Sequence, residues 1–188
     1  MISKPDVRRC ALPSSSRLCE SLPGFDYLDS FEVDAATDSM RMIDIHAALL
    51  GHLPSAFKHL LVLRSLVVKP FGIRGVSYRE LAEPVDTSRT YAIGDRVGRW
   101  TLYATAQNEL ITGADDRHLD FRVSVLRSGG VTSGRVFLST AVRTHNTLGR
   151  TYLAAILPFH RFGITQLLAR AIQNGRLSSA QADPVKSP

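Results

Sequence analysis

The feature that most constrains this chain is a change of period along it. From about residue 73 to residue 145 apolar residues alternate with polar ones, the two-residue repeat of a half-buried strand. After residue 147 they recur at three- and four-residue steps, the repeat of one long helix. The alternating stretch predicts strands over Ile73–Glu80, Arg89–Gly94, Arg99–Ala106, Glu109–Ala114, His118–Arg127 and Arg135–His145. Asn108, the Asp115–Asp116 pair and Ser128–Gly129–Gly130 are short, turn-forming connections between them, so antiparallel pairing is expected.

Upstream, Tyr27–Asp34 sets Leu28, Ser30 and Glu32 against Tyr27, Asp29, Phe31 and Val33, which suits another half-buried strand. Thr37 or Asp38 is placed to cap a helix that Gly51 and Pro54 end, and Ser55 to cap a second that stops at Pro70–Gly72. The final helix is expected from Leu148 to Asn174, with Gly175 as its stop. Its stripe is Leu153, Leu157, His160, Ile164, Leu167, Leu168 and Ala171, and Pro158 predicts a kink or break inside it. A sheet of seven mostly antiparallel strands needs a cover for its apolar face, and this helix supplies one. The expected class is therefore α+β, of helix-grip type: a curved sheet wrapped on a long C-terminal helix, with two short helices after the first strand. The domain is expected over residues 25–174, between flexible tails at 1–24 and 175–188.

Composition enters mainly by exclusion. With 188 residues, 44% apolar and 21% charged, the chain has the make-up of a single globular domain. The net charge of +6 comes from the ends. Residues 1–24 carry four Lys/Arg against two acids, residues 150–188 five against one, and residues 25–149 fourteen of each. Without aromatics interleaved among clustered cations, nucleic-acid binding is not expected. Cys10 and Cys19 read as two free thiols of a cytoplasmic protein. The most apolar runs, Leu60–Val68 and Tyr152–Ile172, are interrupted by charges, so no stable membrane insertion is expected. Core burial or a homodimer contact accounts for Leu60–Val68, with a lid or membrane-surface helix as the competing reading.

Two segments carry a resemblance: Asp115-Asp116-Arg117-His118-Leu119-Asp120-Phe121-Arg122, and His145-Asn146-Thr147-Leu148-Gly149-Arg150-Thr151-Tyr152 leading to Pro158-Phe159-His160-Arg161. Together with Lys69-Pro70-Phe71-Gly72-Ile73, they resemble the bacterial family called domain of unknown function 2867 over about residues 25–174. That family is similar to the START-like or polyketide-cyclase superfamily. The resemblance implies a fold that binds apolar ligands and, in some members, catalyses cyclisation or dehydration without a cofactor.

Parity alone registers the last two long strands. Pairing Leu119, Phe121, Val123 and Val125 with Val136, Leu138, Thr140, Val142 and Thr144 sets Val125 near Leu138 and Phe121 near Val142. The opposite face then brings Asp120 to Arg143 and His118 to His145, with Arg122 alongside. This cluster reads as a catalytic site in which Asp120 orients an imidazole, as a metal site, or as a cross-strand ion-pair ladder facing away from the helix. His160, on the apolar stripe, reads either as a core histidine bonded to a backbone carbonyl or as a catalytic or ligand contact. The candidate catalytic residues are thus His160, His118, Asp120 and His145. The candidate ligand contacts are Trp100, Tyr103, Thr140, Arg143, Thr144, Asn146 and Tyr152, and neither a metal nor a cofactor is expected. No nucleophile elbow, dinucleotide fingerprint or His-Glu-x-x-His occurs. The expected function is binding of a small apolar or amphipathic molecule between sheet and helix. The alternatives are a cyclase- or dehydratase-type enzyme using a cavity histidine for proton transfer, and a protein–protein interaction domain.

Overall fold

The computed structural model describes residues 5–37, 40–52, 77–79, 84–129 and 134–179. In chain order the elements are β1 (Arg8–Cys10), α1 (Leu18–Ser21), β2 (Tyr27–Ala36), α2 (Met42–Leu50), β3 (Arg96–Val97) and β4 (Trp100–Thr105). They continue with β5 (Glu109–Asp115), β6 (Leu119–Gly129), β7 (Gly134–Thr144), α3 (Thr147–Gln173) and β8 (Ser178–Ser179). Seven strands form one curved open sheet in the order β1-β2-β7-β6-β5-β4-β3, every neighbour antiparallel, and β8 adds to β2 beyond β1. The class is α+β, consistent with a helix-grip arrangement.

Strand parity decides what each face of the sheet buries. Phe31 and Val33 of β2, Val136 and Leu138 of β7, Val123 and Val125 of β6, Leu110 of β5 and Leu102 of β4 all lie in the larger core. Ile45 and Leu49 of α2 and Ile164, Leu168, Ala171 and Ile172 of α3 close it from above. Each aliphatic side chain so buried contributes about 1.5–3 kcal/mol of transfer free energy. The buried residues of α3 are concentrated in its C-terminal half, whereas Phe159 and Phe162 near its middle are more than half exposed.

Helix α3 begins where the sequence places it because Asn146 caps it, its Oδ1 accepting from Gly149 N at 3.0 Å. Gly149 is the close-contact point of that first turn: a Cβ there would run into the His118 carbonyl. The helix continues unbroken through Pro158 and stops at Gly175, φ +66°. The expected break at Pro158 is therefore corrected. No helix among the described residues is long and apolar enough to cross a membrane.

Residues 5–24, expected to be a loose tail, are part of the fold. Strand β1 pairs with β2, Arg8↔Glu32 through Cys10↔Ser30. Leu18 and Leu22 are fully buried with Ile111 and Ala141 on the face of the sheet turned away from α3, and Leu12, Phe25, Leu28 and Tyr103 pack around them. Glu109, 3% exposed, anchors this cover by accepting from Ser16 Oγ (2.6 Å), Arg17 N (2.8 Å) and Ser124 Oγ (2.6 Å). Likewise Leu177 joins the core and Ser178–Ser179 pair with Ala35–Ala36, so the C-terminal tail is corrected as far as residue 179.

Two further expectations change. Residues 89–94 form turns instead of a strand, because side chains take the local backbone donors. Asp86 Oδ1 accepts from Ser88 N at 3.0 Å, and Asp95 Oδ2 accepts from Ala92 N at 3.1 Å and from Arg89 at 3.0 Å. Helix α2 starts at Met42, where Asp44 accepts from Arg41 N and Nε, so Thr37 is not its cap and Asp38 lies outside the described residues. Among the described residues the path across the sheet again has seven strands, with β1 and β3 in it and Arg89–Gly94 absent from it. Of Ile73–Glu80 only residues 77–79 are described, with Tyr78 and Arg79 helical. The helix expected from Ser55 to Pro70, including Leu60–Val68, lies outside the described residues.

Candidate functional site

On the helix-facing side of the sheet, one carboxylate breaks the apolar pattern of β2. Asp29 shares the parity of Phe31 and Val33, is 4% exposed, and lies opposite Thr140 in the ladder with β7. An ionised carboxylate in such a place is costly unless donors surround it. Tyr27, two residues earlier on the same face, donates its hydroxyl to Asp29 Oδ2 at 2.5 Å. From 131 residues away, His160 of α3 brings Nε2 to 3.4 Å from Oδ1. The Tyr27 and His160 rings meet edge to face at 6.4 Å, and Arg161 reaches the Tyr27 hydroxyl at 3.4 Å. Burial, and then the bond to Asp29, raises the Tyr27 phenol above its ordinary pKa. His160 is thus partnered by an aspartate and not by a backbone carbonyl. Beside them the Thr140 hydroxyl is buried with no hydrogen-bond partner among the described residues.

The second cluster sits on the other face and follows the parity register. Val125 opposes Leu138, Phe121 opposes Val142 and Asp120 opposes Arg143. His145 N donates to His118 O at 2.9 Å. Asp120, 6% exposed, takes Arg143 Nη2 at 2.7 Å and His145 Nε2 at 3.0 Å. Burial pushes its carboxyl up, but the bonds from His145 and Arg143 outweigh this and hold it below the usual carboxylate range. Next to it, Arg122 Nη1 pairs with Asp115 at 2.6 Å while its guanidinium stacks on Tyr103, 3.3 Å from the ring centroid. Arg143 also reaches the Pro23 carbonyl at 3.3 Å, so residues 12–25 cover this network. It faces away from α3, as the ladder reading requires.

The expected site residues therefore divide. His160 and Thr140 belong to the helix-facing side; Asp120, Arg122, Arg143 and Tyr103 belong to the opposite face. His118 and Asn146 meet at the start of α3, where the Asn146 side chain lies within 3.3 Å of His118 Nδ1. Thr144 is held through its N and Oγ1 by Asp26 Oδ2, both at 2.6 Å. Trp100 packs edge-on against Phe121, ring centroids 5.5 Å apart, near the far edge of the helix-facing side. Tyr152 is half-buried on α3. Sequence reading passed over Asp29 and Tyr27, although a carboxylate on the apolar parity of a strand was a visible signal. Among the described residues, no three His, Cys, Asp or Glu side chains converge as a metal site would.

A family model described as Protein of unknown function (DUF2867) matches residues 21–167. No curated protein and no solved structure matches the chain significantly.

Proposed function

The chain belongs to the DUF2867 family, and from that premise and the geometry above we propose that it binds a small amphipathic molecule between the sheet and the N-terminal half of α3. The observation that carries this reading is the buried Asp29 carboxylate, bonded to Tyr27 and His160 among the apolar residues Phe31, Val33 and Leu138 of β2 and β7. A fold has no need of such a group for packing, since replacing a buried polar set by apolar residues is commonly neutral or stabilising. The unpartnered Thr140 hydroxyl opposite Asp29 adds a second polar group for a ligand head to meet. The apolar part of the molecule would lie along Phe121 and Val142.

The Asp29–His160 pair also favours a second reading, acid–base catalysis of the cyclase or dehydratase type found in the START-like superfamily. With Nε2–H donating to Asp29, Nδ1 is the free basic nitrogen. A proton taken there gives an imidazolium that the carboxylate stabilises. Native mass spectrometry of protein purified from its own host tests the binding reading. A co-purifying small molecule is expected, lost or bound at least tenfold more weakly after His160→Ala or Asp29→Asn with the fold retained. Full retention of the molecule in His160→Ala, with only a lower Tm, makes His160 structural and ends both readings.

A further inference from the structure

A separate polar group stands on the helix-facing side near the other edge of the sheet. Four strand spacings separate β2 from β4, roughly 19 Å at about 4.8 Å each. There α2 lowers His46 onto β5, where the imidazole is 1% exposed and Nε2 lies 3.2 Å from the buried Thr112 hydroxyl. The other ring nitrogen, Nδ1, is buried without a partner among the described residues. Buried polar atoms are rarely left so, and the exception asks for a missing partner.

The Val97–Trp100 turn brings Arg99 to the same place. Its Nη1 donates to the carbonyl of Leu50, the last residue of α2, at 3.1 Å, and its guanidinium lies 4.2 Å from the Trp100 ring centroid. Helix end and ring face both favour a cation there. No carboxylate among the described residues pairs with Arg99, so most of its five donors are uncommitted. Burial draws the Arg99 guanidinium down to about 10, and burial with the Arg99 charge draws His46 down to about 3, so the imidazole is neutral and has one N–H. Between His46, Leu50, Val85, Val97, Arg99 and Trp100 lies a cavity of about 10 Å³. That is room for a single oxygen-sized group.

We propose that this cavity is an anion site for the carboxylate end of a small monocarboxylate, one oxygen set between the Arg99 guanidinium and the His46 Nδ1–H. With the Thr112 hydroxyl donating to Nε2, the imidazole proton sits on Nδ1 and points at that oxygen. A carboxylate leads with one oxygen and leaves a flat carbon with one further oxygen at the mouth, whereas sulfate or phosphate leaves three further oxygens there. Arginine suits the role because its guanidinium stays charged and, among the described residues, only Nη1 is committed, to the Leu50 carbonyl.

Trp100 is the only tryptophan in the chain and stacks on Arg99, so its fluorescence reads the site directly. Acetate added at constant ionic strength should give a saturable change in emission, and sodium chloride or sulfate should not. The apparent Kd should weaken at least tenfold in Arg99→Gln and stay within twofold in His160→Ala, which separates this site from the one proposed above. Should Arg99→Gln fail to fold, imidazole nitrogen shifts of the unaltered protein decide: acetate should move His46 Nδ1 and raise the pH at which His46 protonates. A flat titration, an equal response to sulfate, or an unmoved His46 signal overturns the proposal and leaves the cavity to a water molecule.

Discussion

The two faces of the sheet bury charge in opposite ways. Away from α3, carboxylates and guanidiniums meet in direct pairs, Asp120 with Arg143 and Asp115 with Arg122, under a cover formed by residues 12–25. On the helix-facing side Asp29 has no cation as close: its partners are a phenol and an imidazole, and two polar atoms, Thr140 Oγ1 and His46 Nδ1, have none among the described residues. Arg122 Nε and Arg143 Nε on the other face are also unpartnered, yet each belongs to a guanidinium already paired with a carboxylate through another nitrogen. The first face pairs its charges directly. The second keeps polar capacity in reserve, and that is why the functional proposals fall there.

The sharpest way to break the comparison is to weaken each cover. Leu168→Ala, in the larger core under α3, should cost about 3–5 kcal/mol in urea unfolding. Leu18→Ala, beneath the N-terminal cover, should cost about 2–4 kcal/mol, since Leu18 is as fully buried. A value near zero for Leu18→Ala would return residues 5–24 to the status of a tail.

Acid should act through the helix-facing side next. His46 protonates near 3 in the fold and near 6.5 when unfolded, so the unfolded chain binds the extra proton between those values. The stability this group contributes is fully present above pH 6.5 and is lost as pH falls toward 3, about 3–5 kcal/mol over the window. His46→Gln should flatten that part of the pH dependence of chemical unfolding. Equal slopes in the two proteins would show that His46 is reached by solvent.

Asp120→Asn should have the smallest effect, about 1–2 kcal/mol, with ligand binding unchanged. Asn keeps an acceptor for Arg143 and His145, whose side chains are each about a third exposed or more and can turn to water. A large loss of function with the fold intact would move the site to His118, Asp120 and His145.

Much of the framework was legible because its signals are local or strictly periodic. The two-residue period set the β6–β7 register, down to Asp120 opposite Arg143, since a slip by one residue would have turned Phe121, Val123 and Val125 to the wrong face. The three- to four-residue period and Gly175 delimited α3. What the sequence did not disclose depends on contacts between distant segments. Leu18 and Leu22 lie in a stretch without period, and they fold because Ile111, Ala141 and Leu28 present an apolar surface needing cover. Residues 89–94 read as a strand, but no strand pairs along them: Asp95 takes the Ala92 N–H, Asp95 N closes a turn onto Ala92 O, and Gly94 N reaches Leu102 O. Asp29 meets His160, and His46 meets Arg99, only once the sheet has curved beneath the two helices. Periodicity names the face a residue lies on, and only the packed chain chooses its neighbour across that face.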